Sequence, residues 1–247
     1  MKNLLAFVIA LFFINITEAQ NVGIGNTSSA GSAQLDVSST TKVYSNPHIT
    51  SVQGYAITPV EGLMIYNTTS KNPGFYNGPE WQNFDGNIDI KIGDNYQGGI
   101  IAYILQPDDP GYIAGQTHGL IAATSDQSTS AQWGCFLSSI TGANGSALGT
   151  GIQNTIDIMA GCVDTLIAAR LCGDLVLNGY SDWYLPSKIE LTKLYKNRVA
   201  VGGFANAFYW SSTEGDEYSA LYRHFANGVQ TFATKSSEFH VRAIRAF

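Results

Sequence analysis

His118, His224 and His240, with Asp126, Glu214 and Glu238 as prospective partners, are the residues of this chain whose types could support acid–base or nucleophilic chemistry. In a catalytic triad a carboxylate orients the imidazole and a nucleophile lies at its other nitrogen. No Gly-x-Ser-x-Gly elbow and no working pair of carboxylates accompanies these histidines, so the chain reads as a non-enzyme with no catalytic residue. Metal chemistry is equally thin: no Cys-x-x-Cys and no histidine pair at ligand spacing occurs, and zinc sites need such sets. Glu214, Asp216 and Glu217 form an acidic turn whose oxygens suit Ca²⁺, although a solvated loop is the weightier reading.

Recognition is the better-supported class, ahead of a structural fibre-tip or assembly component and, third, a hydrolase-like enzyme of unknown substrate. Asn227-Gly228 is a strong two-residue hairpin signal, because both turn positions then take positive φ. It is flanked by prospective strands over 219–226 and 229–234. Around it, Tyr222, Arg223, His224, Asn227 and Gln230, with Glu214 nearby, offer the mixed aromatic and polar contacts of binding loops carried on a rigid scaffold. Asp182-Trp183 and Tyr209-Trp210 would suit sugar stacking, but tryptophans in such runs are more often core. Arg242 and Arg245 read as internal salt-bridge or hydrogen-bond donors.

Three cysteines, Cys135, Cys162 and Cys172, leave one over in an oxidising compartment. Residues 154–172 read as the longest helix, with Ile156, Met159, Val163, Leu166 and Ile167 on one face. Asn154 would be its N-cap, and Asp157 would sit in its first turn. On that helix Cys162 and Cys172 are about 15 Å apart, beyond the roughly 7 Å a disulfide spans. Any bridge then involves Cys135, with Cys172 the favoured partner and three buried thiols the alternative.

The elements that must position these groups are mostly strands. Residues 98–105 and 119–123 read as buried strands, 208–213 as a strand end and 240–247 as one closing strand. Leu185-Pro186-Ser187 leads into a second helix, where Ser187 and Glu190 form a capping box and Leu191, Leu194 and Tyr195 form the buried stripe. Two main helices among several antiparallel strands make an α+β domain. Composition shifts near Asp85-Gly86-Asn87. The order is thus a β-rich leader at 20–85, a linker at 86–97 and a domain at 98–247.

Charged residues are only 13% of the chain and aromatics are 12%, the profile of a turn-rich β protein. A net charge of −6 argues against nucleic acid, whose phosphates need clustered Lys and Arg. Met1-Lys2-Asn3, the apolar run from Leu4 to Ile14, and small residues at Thr17 and Ala19 make a secretory signal over residues 1–19. The run falls short of the roughly 20 residues of a spanning helix. A secreted or cell-surface protein without a later transmembrane segment is expected.

Two family resemblances follow. The segments starting at Asn21-Val22-Gly23-Ile24-Gly25, Ala33-Gln34-Leu35-Asp36-Val37, Glu61-Gly62-Leu63-Met64-Ile65-Tyr66 and Phe75-Tyr76-Asn77-Gly78-Pro79-Glu80-Trp81 resemble a leader found on bacterial surface proteins and phage-tail-like fibres. That resemblance implies a stalk or presentation module and a homotrimer. Tyr44-Ser45-Asn46-Pro47-His48-Ile49 stands where the leader usually has Leu-Pro-Pro-Arg-Met.

Further on, Ala131-Gln132-Trp133-Gly134-Cys135, Gly149-Thr150-Gly151-Ile152-Gln153, Gly179-Tyr180-Ser181-Asp182-Trp183-Tyr184-Leu185-Pro186-Ser187, Tyr209-Trp210-Ser211-Ser212-Thr213 and Val241-Arg242-Ala243-Ile244-Arg245 resemble the Lcl C-terminal domain of a collagen-like bacterial adhesin. The resemblance implies a C-type-lectin-like fold on an exported protein and adhesion to glycans or surface proteins, with glycosaminoglycans the family's association. The low Lys and Arg content weakens the sulfated-glycan case. Ala243 stands where many members have cysteine, so that family disulfide is absent.

Overall fold

A computed structural model describes residues 22–24, 35–84 and 90–247. The expected signal peptide and the Asp85-Gly86-Asn87 shift lie outside the described residues. Contacts divide the chain into two compact units, 1–46 and 47–247. The strands at 47–84 therefore share a unit with the C-terminal domain, although composition changes near residue 85.

In the first unit, β1 (Val22–Ile24) pairs in parallel with β2 (Leu35–Val37), Val22 opposite Leu35 and Ile24 opposite Val37. Alternate residues of a strand share a face, so these four apolar side chains line one side of the pair. All four are exposed.

The second unit begins with β3 (His48–Ile49) and α1 (Ser51–Ala56), a single turn and a half capped by a Thr50–Gln53 capping box. Next come β4 (Met64–Asn67), β5 (Asn72–Tyr76) and β6 (Trp81–Asn83), giving a four-stranded sheet in the order β3-β4-β5-β6. Beyond residue 90, β7 (Asn95–Tyr96), β8 (Gly99–Ile104) and β9 (Gly119–Ala122) form a second sheet. Strand β9 is buried along its whole length, as its unbroken apolar run requires.

Strand β10 (Ser128–Gln132) precedes three helices: α2 (Gly151–Gly161), α3 (Ala168–Gly173) and α4 (Lys188–Val201). Strands β11 (Phe208–Glu214), β12 (Ser219–His224), β13 (Gln230–Thr234), β14 (Glu238–Val241) and β15 (Ile244–Ala246) close the chain. The third sheet runs β10-β14-β11-β12-β13, and β15 joins the second as β15-β9-β8-β7. The architecture is a mixed α+β fold, mostly sheet with few helices.

Four expectations need correction. The single helix over 154–172 is two helices. Helix α2 stops at Gly161, and Cys162 turns to extended backbone. Arg170 supplies the physical reason: it donates to the carbonyls of Met159, Cys162 and Asp164 at 2.8–2.9 Å, satisfying acceptors that a continuing helix would have used. The expected apolar face is also displaced. Ile156, Val163 and Leu166 are exposed, whereas Ile158 and Ile167 are buried.

Asn154 is not the cap of α2. It lies inside the helix, buried, donating to Gly145 O and Ser212 Oγ, while Asp157 accepts from Gln153 one turn earlier. The final strand, too, is two strands in different sheets. Arg242 and Ala243 make the crossing, pinned by Ala243 N–H donating to Gln127 and by the buried Arg242 guanidinium.

The capping box of α4 forms as expected. Ser187 and Glu190 exchange their backbone bonds, and Leu191 and Leu194 are buried. Burial raises the Glu190 carboxyl above its usual value, opposed by hydrogen bonds from the Ser187 and Gly149 N–H groups.

Candidate functional site

The β12–β13 hairpin is closed differently from the two-residue expectation. The His224 N–H donates to Val229 O and the Gly228 N–H donates to His224 O. Gly228 takes φ +78°, and Asn227 is not among the positive-φ residues. Instead its side-chain oxygen accepts from Val229 N–H and faces His224 Nδ1 at 3.0 Å. A Cβ on Gly228 would meet the Tyr195 ring at 2.7 Å, so glycine is needed there for close approach as well as for φ.

Most of the hairpin's candidate binding side chains face inward. Arg223 donates to Gly228 O, Gln230 Oε1 and Thr192 Oγ1 at 2.8–3.0 Å, and its guanidinium lies over the Tyr195 ring. Burial lowers its pKa below the usual arginine value. Gln230 donates in turn to Lys188 O, which clasps the hairpin onto α4. Tyr222 packs among Phe208, Trp210 and Phe239. Asn227 is exposed, and His224 packs against Phe208.

The acidic turn does not converge on one point. Glu214 is buried and paired with Lys235 at 2.5 Å. Asp216 accepts from the backbone of Tyr218 and Ser219 and from the Ser219 hydroxyl, which lower its pKa. Glu217 contributes its backbone oxygen to Leu137. Among the described residues, one other group gathers potential ligand atoms, Cys135, Cys162 and Asp164. Its two sulfurs are joined to each other, which removes both thiolates.

That disulfide corrects the expected pairing. Cys135 bonds to Cys162, with Cα atoms 5.7 Å apart, and Cys172 is free and buried. Burial alone pushes the Cys172 thiol far up. The helix break at Gly161 is the reason: it swings Cys162 off the α2 axis toward the loop that carries Cys135.

Of the histidines, His240 meets a carboxylate. Its Nδ1 is 2.8 Å from Asp126, which also accepts from Tyr209 OH and Arg242 Nε. No serine, threonine or cysteine is hydrogen-bonded to the other ring nitrogen among the described residues, and the pair lies outside the cleft described next. His118 is held by Gln116 and by the Phe247 carbonyl. Glu238 bonds to Ser130.

A cleft of about 490 Å³ opens where the β5–β6 hairpin meets β7 and β8, within the size range of small-ligand sites. The hairpin loop puts its first wall in place: Asn77 and Glu80 exchange bonds across the turn, and Tyr76 and Trp81 become cross-strand partners with ring centroids 5.4 Å apart. Trp81 is fixed by its indole N–H donating to Gly54 O in α1.

The opposite wall is Tyr96, whose hydroxyl donates to Glu80 at 3.0 Å and accepts from Gln97 at 3.1 Å. Burial and the Glu80 carboxylate push its pKa up to about 12. Gln97 is held in turn by Arg245, which donates to both its side-chain and backbone oxygens. Arg245 forks onto Asp182 at 2.7 and 2.8 Å. A relay from Asp182 through Arg245, Gln97 and Tyr96 to Glu80 therefore holds this wall in place.

Residues 23–96 match a family model described as a phage tail like trimerisation region. Residues 122–245, just over half of the chain, match the Lcl C-terminal domain. The chain belongs to the Lcl C-terminal domain family. No curated protein matches the chain significantly. A solved fimbrial protein from Bacteroides ovatus aligns at 17% identity over 62% of this chain, with a TM-score of 0.41. The chain spans 44% of that protein. The two family matches fit a surface- or fibre-associated module. No helix among the described residues is long and apolar enough to cross a membrane.

Within the Lcl C-terminal domain, the motif residues build the interior. Trp133, Trp183 and Trp210 are buried, and each indole N–H donates to a backbone carbonyl, of Ser211, Tyr180 and Ala131 respectively. Leu185, Pro186, Ser187 and Glu190 line the buried entry to α4. Arg242 reaches Asp126, Ala123 O and Gly203 O. Arg245 is the motif residue that touches the cleft's support. Tyr76, Glu80, Trp81, Tyr96 and Gln97 were not singled out as site candidates from sequence. The signal that points to them is the clustering of aromatics beside Pro79 and before Gly98-Gly99, on both sides of the composition boundary.

Proposed function

We propose that this chain is exported and displayed at a cell surface or in a fibre, where its N-terminal region holds three copies together and its Lcl C-terminal domain serves as a non-catalytic binding head. One observation carries the reading: a trimerisation region and an Lcl C-terminal domain follow each other on a single chain. The exposed face of Val22, Ile24, Leu35 and Val37 supports it, because an isolated two-stranded pair is marginal in water and further copies of the same face would cover it.

The head is read as C-type-lectin-like with carbohydrate as its ligand class, supported by the family resemblance; the cleft with aromatic walls lies beside it, lined by residues of the 54–99 stretch and by Thr124 and Asn178 of the Lcl C-terminal domain. The hairpin has a smaller part in this reading than its composition suggested, since Arg223 and Gln230 are spent on α4. Calcium is not invoked in this reading: Glu214 is paired with Lys235, and Asp216 is taken up by the Tyr218 and Ser219 N–H groups and the Ser219 hydroxyl.

Light scattering on the full chain tests the assembly. Three times the chain mass is expected, falling to one upon Ile24→Asp with Leu35→Asp. A monomeric wild-type chain would sink the display reading. A trimer that bound no glycan and no surface protein would leave the structural fibre component as the better description.

A further inference from the structure

We propose that the cleft between the β5–β6 hairpin and β7–β8 binds a neutral saccharide and excludes sulfated or carboxylated ones. This deepens the reading of the chain as a displayed carbohydrate-binding protein and rests on it, with the site mainly on residues of the 54–99 stretch and only Thr124 and Asn178 from the Lcl C-terminal domain. Tyr76 and Tyr96 are half-buried and Trp81 lies at the base, so ring surface is available to the C–H faces of a sugar without a further ordering cost.

Charge decides the class of sugar. Among the described residues, no lysine, arginine or histidine lines the cleft, and Glu80 is its one carboxylate. The nearest motif cation, Arg245, is consumed by the bidentate bond to Asp182. A sulfate or carboxylate entering here would meet a like charge with no compensating cation. A polyhydroxyl ligand meets acceptors and donors instead. Glu80 uses one oxygen on Tyr96, and Asn178 uses its amide N–H on Gly98 O, leaving its carbonyl. Asn95 and Thr124 are exposed at the mouth. Aromatic walls also suit a proline-rich peptide, but amide and carboxylate groups around the opening match hydroxyls better.

Arg245 is a positioning residue in this scheme. It fixes Gln97, whose amide fixes the Tyr96 hydroxyl, and none of its own atoms line the cleft.

The test is a glycan array followed by calorimetry with the full chain. The probes are neutral oligosaccharides ending in hexose or N-acetylhexosamine, heparin, and a proline-rich peptide. Binding to a neutral oligosaccharide is expected. Thr124→Trp, which fills the mouth from an exposed position, should weaken it at least tenfold, and Asn95→Ala severalfold. Both variants should keep the oligomeric mass and melting temperature. Heparin or the peptide as preferred probe would overturn the proposal, as would neutral-sugar binding indifferent to Thr124→Trp. A Thr124→Trp chain that loses its trimer would assign the cleft to a neighbouring copy and overturn it too. Failure of the display reading is distinguishable, since it appears as a monomeric wild-type chain.

Discussion

The ammonium of Lys235 lies 2.5 Å from a carboxylate oxygen of Glu214, and both side chains are withdrawn from solvent. The pair is fully served: Lys235 also donates to Ser138 O and sits over the Trp133 ring, and Glu214 accepts from the Ile140 N–H. It ties β11 to the 138–140 loop and to the segment after β13. A buried ion loses more when its partner is removed than the pair contributes in place. Lys235→Met is expected to cost about 3–5 kcal/mol in denaturant unfolding. Adding Glu214→Leu should recover part of that loss. A single mutant within about 0.5 kcal/mol of wild type would show that water reaches the pair.

The Cys135–Cys162 bridge closes a separation of 27 residues. Replacing both cysteines with serine is expected to lower stability by about 3 kcal/mol, the range for loops of this length. In the native protein Cys172 should resist thiol reagents, because burial raises its pKa and blocks access. Peptide mapping that found Cys172 in a disulfide, or rapid native labelling of it, would contradict this arrangement.

Hydrogen bonds from Arg245 hold the Asp182 carboxyl below the usual aspartate range. A depressed carboxylate contributes stability above its unfolded pKa and loses it as pH falls through the folded value. The contribution is therefore complete above about pH 4 and disappears in more acidic solution. Asp182 is half exposed, so solvent screening keeps the effect small. Melting curves of wild type and Asp182→Asn should differ most at neutral pH and draw together as the solution is acidified below about pH 4. A gap that widens on acidification would reverse the assignment.

Gly228→Ala places a methyl group 2.7 Å from the Tyr195 ring on a backbone at φ +78°. The combined clash and strain should cost about 1–3 kcal/mol. The hairpin should also loosen from α4, which amide exchange at Arg223 and His224 would register. Unchanged exchange there would show that the clasp does not depend on this glycine.

Short-range chemistry in the sequence was enough to determine several elements. Ser187 and Glu190 cap α4 because the capping box is a contact between residues three apart, readable without knowing the fold. The runs at 98–105 and 119–123 become β8 and β9 because an unbroken apolar strand needs cover on both faces. The two family motif sets are likewise linear patterns, and they identify the family on their own.

What only the tertiary structure decided depends on residues distant in sequence. Arg170 ends α2 by reaching back to three carbonyls, and that break chooses Cys162 over Cys172 as the partner of Cys135. The segment after His240 divides between two sheets because Arg242 finds Asp126 and Gly203 across the fold. Arg223 and Gln230 look like free binding groups in a hairpin sequence, yet α4 lies beside them and takes their hydrogen bonds. The cleft is the same case in reverse: Trp81, Tyr96 and Arg245 come from three separated segments, and packing alone brings them to one place.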